Sequence, residues 1–230
     1  ANLIYVTRTI GLEGVVFVTA DGKAHMLTDW RYIELAQEVL TPQGYQVSCP
    51  SVRDYSPSVA ELCKQYGVKV LGFEENAMTV AHYKSYCQRY DAQYLPMTAA
   101  LNALREIKED WEVQCIERAQ RIAEQALEKL LPEIKPGRSE KELASLLDYY
   151  MNSLGSEGVS FPTILVSGKK ASLPHGVPDG KLIEPGDFVI IDFGAVVNGY
   201  HSDMTRTFAV GHATDEMQTV SAIVLRAQVA

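Results

Sequence analysis

The chain has 230 residues, of which 47% are hydrophobic, and a formal net charge of −8 at neutral pH. This length and apolar content predict one large or two modest globular domains. The acidic balance, with no basic cluster larger than Lys169-Lys170, argues against nucleic acid as a partner. No run approaches the roughly 18 apolar residues of a membrane span, so we expect no membrane association and a cytoplasmic protein.

The four cysteines, at positions 49, 63, 87 and 115, form no C-x-x-C pair. We therefore expect reduced, mostly buried thiols, and neither a zinc finger nor a redox site.

Strand and helix patterns alternate over the first hundred residues. Strands are predicted at 15–18, 24–28, 45–49, 69–73 and 93–95, and helices at 30–40, 59–66 and 79–89. Asp29 is the expected N-cap of the first of these helices. The alternation predicts an α/β domain with a partly parallel sheet, which we place at residues 1–108.

The pattern changes beyond residue 108. Apolar side chains recur at helical spacing from 111 to 130, and Ser139 with Glu142 has the spacing of a capping box for a second helix. A strand is predicted at 161–167, two more between 188 and 210, and a last helix at 213–230 with Thr214 as its N-cap.

The last two of these strands are predicted to form a hairpin. Asn198-Gly199 lies between apolar, β-branched runs, and this dipeptide is the strongest short-range signal for a two-residue type I′ turn. Such a turn pairs Val197 with Tyr200, which fixes the register of both strands.

Two aspartates fall on one face of this hairpin. In the predicted register Asp192 lies opposite Thr205, and Asp203 is its diagonal neighbour, on the order of 7 Å away. Carboxylates placed in this way can share a metal ion or an ion pair. The alternative is two aspartates that only solubilise a strand, although aspartate is depleted in strands.

The histidines differ in their settings. His175 lies between Pro174 and Gly176 in a rigid, open loop, and the residues alone leave a functional and a structural role equally open. His201 has the parity of Asp203 and can point towards the same site, but we favour a structural or supporting role for it. We expect no functional role for the remaining histidines: His25 and His82 are predicted at the surface, and His212 in a loop.

Several motifs, in order, give the chain a family resemblance. Residues 109–230 resemble the first half of the catalytic domain of the pita-bread metallopeptidases, which include aminopeptidase P, prolidase and methionine aminopeptidase. Residues 1–108 resemble the N-terminal α/β domain of the prolidase and creatinase branch. The resemblance implies an α/β domain followed by an α+β pita-bread domain. The motifs are Thr28-Asp29-Trp30-Arg31-Tyr32, Pro136-Gly137, Pro174-His175-Gly176, Pro185-Gly186-Asp187, Ile191-Asp192-Phe193-Gly194 and Asp203-Met204-Thr205-Arg206-Thr207-Phe208.

The resemblance also implies a site. Asp192 and Asp203 match the first two of five ligands to a pair of divalent metal ions, and His175 matches a histidine that contacts substrate and stabilises the tetrahedral intermediate. In the family, a water that bridges the ions attacks the peptide carbonyl. Carboxylate and histidine ligands favour Mn²⁺, with Co²⁺ or Zn²⁺ as alternatives.

The implied activity is cleavage of Xaa-Pro bonds in proline-containing peptides, by an aminopeptidase or, slightly less favoured, a dipeptidase. Methionine aminopeptidase fits less well, because its second-aspartate motif usually reads Asp-Thr-Ser-Arg-Thr. We expect a homodimer for the full-length protein. The last three ligands, a histidine and two glutamates, have no match up to residue 230. We therefore expect this segment alone to be inactive. A non-catalytic or truncated pita-bread binding module is the rival interpretation.

Overall fold

The computed structural model describes residues 2–50 and 54–230, which fall into two compact units divided between Lys108 and Glu109. The elements of the first unit are α1 (Asn2–Thr7), β1 (Val15–Val18), β2 (Ala24–Leu27), α2 (Ile33–Leu40), β3 (Gln46–Ser48), α3 (Ser56–Gln65), β4 (Val70–Phe73), α4 (Val80–Arg89), β5 (Gln93–Pro96) and α5 (Thr98–Glu106).

The strands of the first unit are partly parallel, as predicted. β2 pairs with β1 in the antiparallel and with β3 in the parallel direction, whereas β4 and β5 form a separate parallel pair. The predicted strands and helices are all present, with ends that shift by up to three residues. The sequence analysis did not anticipate α1 or α5.

Two expectations for the first unit were wrong. Asp29 is not an N-cap: α2 begins at Ile33, and the Asp29 carboxylate instead binds the guanidinium of Arg31, 2.7 Å from its Nη2 atom. His25 is not at the surface but only 5% exposed, because it lies on the central strand of its sheet. Its Nε2 atom is 3.0 Å from the hydroxyl of Tyr66.

The second unit combines helices with an antiparallel sheet. Its elements are α6 (Asp110–Leu130), α7 (Glu140–Ser153), β6 (Ile164–Ser167), β7 (Phe188–Phe193), β8 (Val196–Val197), β9 (Tyr200–His201), β10 (Met204–Ala209) and α8 (Asp215–Gln228). The main sheet has the order β10-β7-β6, and β8 pairs with β9 beyond it.

The core of the second unit lies between its helices and its sheet. The apolar stripe predicted for α6 is buried from Cys115 to Leu130, and it packs with α7 and the inner side of β7. Each fully buried Leu, Ile or Phe side chain stabilises the fold by about 1.5–3 kcal/mol. The largest such residues are Leu130, Leu143, Leu147, Leu165, Ile183, Ile191 and Phe193.

Two of the predicted helix caps, Ser139 and Thr214, are correct. The side chain of Ser139 accepts a hydrogen bond from the backbone N–H of Glu142 (3.2 Å), and that of Thr214 accepts one from Met217 (3.2 Å). The reciprocal half of the α7 capping box was a wrong prediction, because the Glu142 carboxylate pairs with Arg138 at 3.2 Å. The guanidinium thus offers this carboxylate a charged partner in place of a backbone N–H.

The cysteines were expected to be reduced and mostly buried, and no membrane span was expected. All four cysteines are free; Cys63 and Cys115 are buried, Cys87 is half-buried and Cys49 is exposed, so only two of the four are buried as expected. Among the residues that the structure describes, no helix combines the length and the apolar character needed to cross a membrane.

Candidate metal centre

The hairpin forms in the predicted register. Val197 pairs with Tyr200, and the two turn residues Asn198 and Gly199 have positive φ angles of 50° and 72°. These angles are those of a type I′ turn, in which both central residues are left-handed. Farther from the turn Asp192 pairs with Thr205 in the same register, although residues 194–195 and 202–203 interrupt the strands between the two pairings.

This register places Asp203 opposite Gly194, on the face that carries Asp192. Met204, the next residue in the sequence after Asp203, pairs with Phe193, and both of these side chains are buried in the core. Ser202 and Met204, the neighbours of Asp203 in the sequence, are both buried, whereas Asp203 is exposed, which places its side chain on the other face. Asp192 and Asp203 are therefore diagonal neighbours.

Gly194 allows the two strands to come unusually close at this point. A Cβ atom at this position would lie 1.9 Å from the carbonyl oxygen of Ser202, which no side chain can tolerate. Next to this contact the Ser202 hydroxyl accepts a hydrogen bond from the backbone N–H of Ala195 at 3.0 Å. The backbone beside Asp203 is thus held in one position.

The two carboxylates retain oxygen atoms for a ligand. Asp192 is half-buried, and its Oδ1 atom accepts a hydrogen bond of 2.8 Å from the Thr205 hydroxyl. No other described residue bonds to the Asp192 carboxylate, and none bonds to that of Asp203. Carboxylate oxygens are suitable ligands for divalent cations such as Mn²⁺, so the residues present fit a metal site.

The two aspartates account for only part of the ligands that a metal centre needs. Within residues 2–50 and 54–230, no three His, Cys, Asp or Glu side chains are grouped closely enough to hold a metal ion. Asp192 and Asp203 therefore need further ligands to form a complete centre.

The loop of His175 lies on the same face of the sheet. A Cβ atom on Gly176 would lie 2.9 Å from the Cγ1 atom of Val166, so the loop rests on that side chain. Val166 pairs with Ile190, two residues before Asp192 on β7, and this spacing puts the Val166 and Asp192 side chains on one face. His175 itself is exposed, and its imidazole has no hydrogen bond to the described part of the chain.

His201 has a bond of its own beside Asp203. Its Nδ1 atom is 2.9 Å from the hydroxyl of Ser160, a contact that suits a structural role. His201 and Asp203 also line a cavity of about 320 Å³, together with side chains of α6 that include the ion pair Arg121–Glu124 at 2.7 Å.

A buried polar cluster, not predicted from the sequence, lies behind the His175 loop. Glu140 is fully buried at the start of α7 and binds Ser167 and Lys170. In the sequence, Glu140 resembles any acidic residue in the first turn of a helix, where the helix dipole favours it. Only its tertiary partners set it apart.

The chain thus combines two units with a carboxylate pair on one hairpin face of the second unit, and comparisons with known proteins identify its family. Residues 114–230 match the model of metallopeptidase family M24, and residues 1–107 match that of the creatinase/prolidase N-terminal domain. The chain belongs to metallopeptidase family M24, and its resemblance to the pita-bread metallopeptidases is confirmed.

Similar proteins match both units. The uncharacterized peptidase YqhT of Bacillus subtilis is 39% identical over 99% of this chain and 64% of its own length. The structure of an Xaa-Pro dipeptidase from Bacillus anthracis has a TM-score of 0.92 and 37% identity, over 99% of this chain and 63% of its own. An X-Pro aminopeptidase from Thermotoga maritima has a TM-score of 0.90 and 29% identity, over 98% and 63%.

These matches confirm the expected fold class, an α/β N-terminal domain plus an α+β pita-bread domain. The chain spans about 64% of the length of the first of these relatives.

Proposed function

We propose that the protein is a metal-dependent exopeptidase that cleaves Xaa-Pro bonds, either as an aminopeptidase or as a dipeptidase. The observation that carries the proposal is the pair Asp192 and Asp203, which share one face with free carboxylate oxygens. Family membership supports it, as do relatives named for Xaa-Pro dipeptidase and X-Pro aminopeptidase activity. The substrate is then a peptide with proline at its second position.

The chemistry assigns a role to each side chain. Asp192 and Asp203 would hold divalent ions, with Mn²⁺ favoured over Co²⁺ or Zn²⁺, and such ions would supply a water acidic enough to act as a nucleophile. Asp192 and Asp203 supply carboxylate ligands, and Thr205 holds Asp192 in one orientation through its hydrogen bond. His175 donates a hydrogen bond to the oxyanion that develops on the scissile carbonyl.

Two further features belong to the proposal. The free thiols support a reducing compartment, the cytoplasm, which cell fractionation checks. We also propose a homodimer, on the family resemblance, and light scattering checks the mass in solution.

The direct test is hydrolysis by the protein as its gene encodes it. After metal removal and addition of Mn²⁺, we expect cleavage of a Xaa-Pro tripeptide, a Xaa-Pro dipeptide or both, and no cleavage of the matched Xaa-Ala peptides. The tripeptide identifies an aminopeptidase, whereas activity limited to the dipeptide identifies a dipeptidase. Binding of these peptides without cleavage at any metal concentration would instead support a non-catalytic module.

A further inference from the structure

A cluster of charged residues connects the two arms of the loop that carries His175, that is, the segments before and after His175. Glu140, the first residue of α7, is completely buried. Its Oε1 atom accepts hydrogen bonds from the backbone N–H of Ser167 (2.7 Å) and from the Ser167 hydroxyl (2.9 Å). A buried carboxylate costs several kcal/mol unless it is paired, so these partners fix its position firmly.

The second oxygen of Glu140 reaches both sides of the loop. Its Oε2 atom accepts a hydrogen bond from Lys170 Nζ at 2.6 Å and one from the backbone N–H of Asp179 at 3.4 Å. These partners lie five residues before and four residues after His175 in the sequence. One buried carboxylate therefore binds both arms of the loop.

Lys170 makes the connection tighter. Its Nζ atom also donates to the carbonyl oxygen of Val177 (2.9 Å) and pairs with Asp179 Oδ2 (2.9 Å). The hydrogen bond from Lys170, followed by one from the backbone N–H of Lys181, lowers the pKa of the Asp179 carboxyl. The pair is thus charged at neutral pH.

A second ion pair secures the ends of the same loop. Lys181 Nζ lies 2.8 Å from Asp187 Oδ2 and 2.8 Å from the Ser167 hydroxyl, which is itself bound to Glu140. The two ion pairs therefore belong to one continuous network. His175 lies in the exposed turn between the residues that this network holds.

We propose that Glu140 and Lys170 form a clasp that holds the His175 turn above the face of Asp192, and that both are positioning residues for His175. The inference that these residues position His175 for catalysis rests on the proposed function. The inference that they hold the loop in place does not. An exposed imidazole on a loose loop would lose orientational freedom each time it met the reacting carbonyl. A loop that is already held in place avoids this loss of conformational entropy. Correct placement matters, because a misplacement of 1 Å can lower the rate about 10²-fold.

The test uses Lys170→Met, which keeps the length of the side chain and removes its charge. Lys169→Met is the matched control, because Lys169 lies next to it, is exposed and has no side-chain partner among the described residues. The first readout is amide hydrogen exchange at Leu173 and Gly176, whose N–H groups are bonded within the loop. We expect exchange there to accelerate on the order of tenfold in Lys170→Met only, with unchanged protection in β7.

The second readout is turnover of a Xaa-Pro peptide by the protein as its gene encodes it. Lys170→Met should lower kcat by roughly tenfold or more with little change in KM or metal content, and should add little to His175→Ala. If Lys170→Met fails to fold, Asp179→Asn, which removes only an exposed arm of the cluster, should show a smaller change in the same direction.

The outcomes separate the two parts of the inference. Unchanged exchange at Leu173 and Gly176 in Lys170→Met and in Asp179→Asn overturns the clasp. Faster exchange with unchanged kcat overturns the positioning role of Glu140 and Lys170. A wild-type protein that cleaves no Xaa-Pro peptide contradicts the proposed function, and the exchange measurement still decides whether the clasp exists.

Discussion

Asp192 and Asp203 differ in how much of their hydrogen-bonding capacity is already in use. Asp192 is half-buried and receives the Thr205 hydroxyl, whereas Asp203 is exposed and has no partner among the described residues. A ligand that is already oriented loses less freedom on binding a metal ion. Asp192 is thus the prearranged member of the pair, and Thr205 is responsible for that.

Replacement of Thr205 should weaken metal binding without damage to the fold. Thr205→Val keeps the β-branched shape but removes the donor to Asp192, so we expect the Mn²⁺ affinity to fall by about 10- to 100-fold. Thr207→Val is the matched control, since Thr207 is exposed on the same strand and face and bonds to no carboxylate in the described part of the chain. Calorimetric titration of Mn²⁺ measures both, and equal affinities would show that Thr205 does not orient a ligand.

His175 should behave differently from the aspartates, because the proposal gives it a role in charge stabilisation only. We expect His175→Ala to lower turnover by roughly 10²–10³ while the metal content stays unchanged. His82→Ala, at an exposed position on α4, serves as the control. A His175→Ala protein that loses its metal would make His175 a ligand and our assignment wrong.

His25 makes the stability of the first unit sensitive to pH. Burial, and next the nearby charge of Lys23, lower the pKa of His25. The folded state therefore favours the neutral imidazole, while the unfolded chain takes up a proton near pH 6.5. The stabilisation is complete above that pH, and it declines as the pH falls from about 6.5 towards the lower folded-state pKa.

Urea unfolding of the first unit at pH 7.5 and 5.5 checks this expectation. The wild type should lose more stability between these two values than His25→Gln, which cannot titrate, whereas His82→Gln should follow the wild type. An equal loss in wild type and His25→Gln would mean that His25 titrates alike in the folded and unfolded states.

At the level of elements, the hairpin is the feature that positions the two proposed ligands. Its close approach at Gly194 predicts a large effect of a single methyl group: Gly194→Ala would bring a Cβ atom to 1.9 Å from the carbonyl of Ser202. We expect the second unit to lose about 1–3 kcal/mol or more in unfolding free energy, with weaker metal binding as the strands separate. Thermal unfolding and Mn²⁺ titration measure the two effects.

Gly158→Ala is the matched control for this variant. A Cβ atom at Gly158 would meet nothing within 4 Å, and the residue needs no left-handed backbone conformation. We expect its stability to stay near that of the wild type. Equal stability of the two variants would contradict the close approach at Gly194.

The hairpin also shows what the sequence can predict. The Asn198-Gly199 turn and the alternation of side chains are local signals, and together they fix the register that pairs Asp192 with Thr205. The burial of His25 and of Glu140 depends instead on partners far away in the sequence, such as Tyr66 and Lys170. No local pattern contains those partners, so the sequence placed His25 wrongly and missed the role of Glu140.

On the scale of the whole molecule, the chain consists of two units with separate cores, and the candidate site belongs entirely to the second. The α/β unit contributes none of the three proposed site residues. We therefore propose that the exposed face of one hairpin, at Asp192 and Asp203, holds the metal ions of an Xaa-Pro peptidase.

The most direct test of that claim is Asp203→Ala in the protein as its gene encodes it, with Asp215→Ala as a control of equal charge on an exposed helix. Metal analysis after exposure to Mn²⁺, together with the rate of Xaa-Pro hydrolysis, gives the result. We expect Asp203→Ala to lose activity and most of its metal, because an unpaired carboxylate ligand is removed, and we expect Asp215→Ala to keep both. An active Asp203→Ala protein with its full complement of metal would contradict the account.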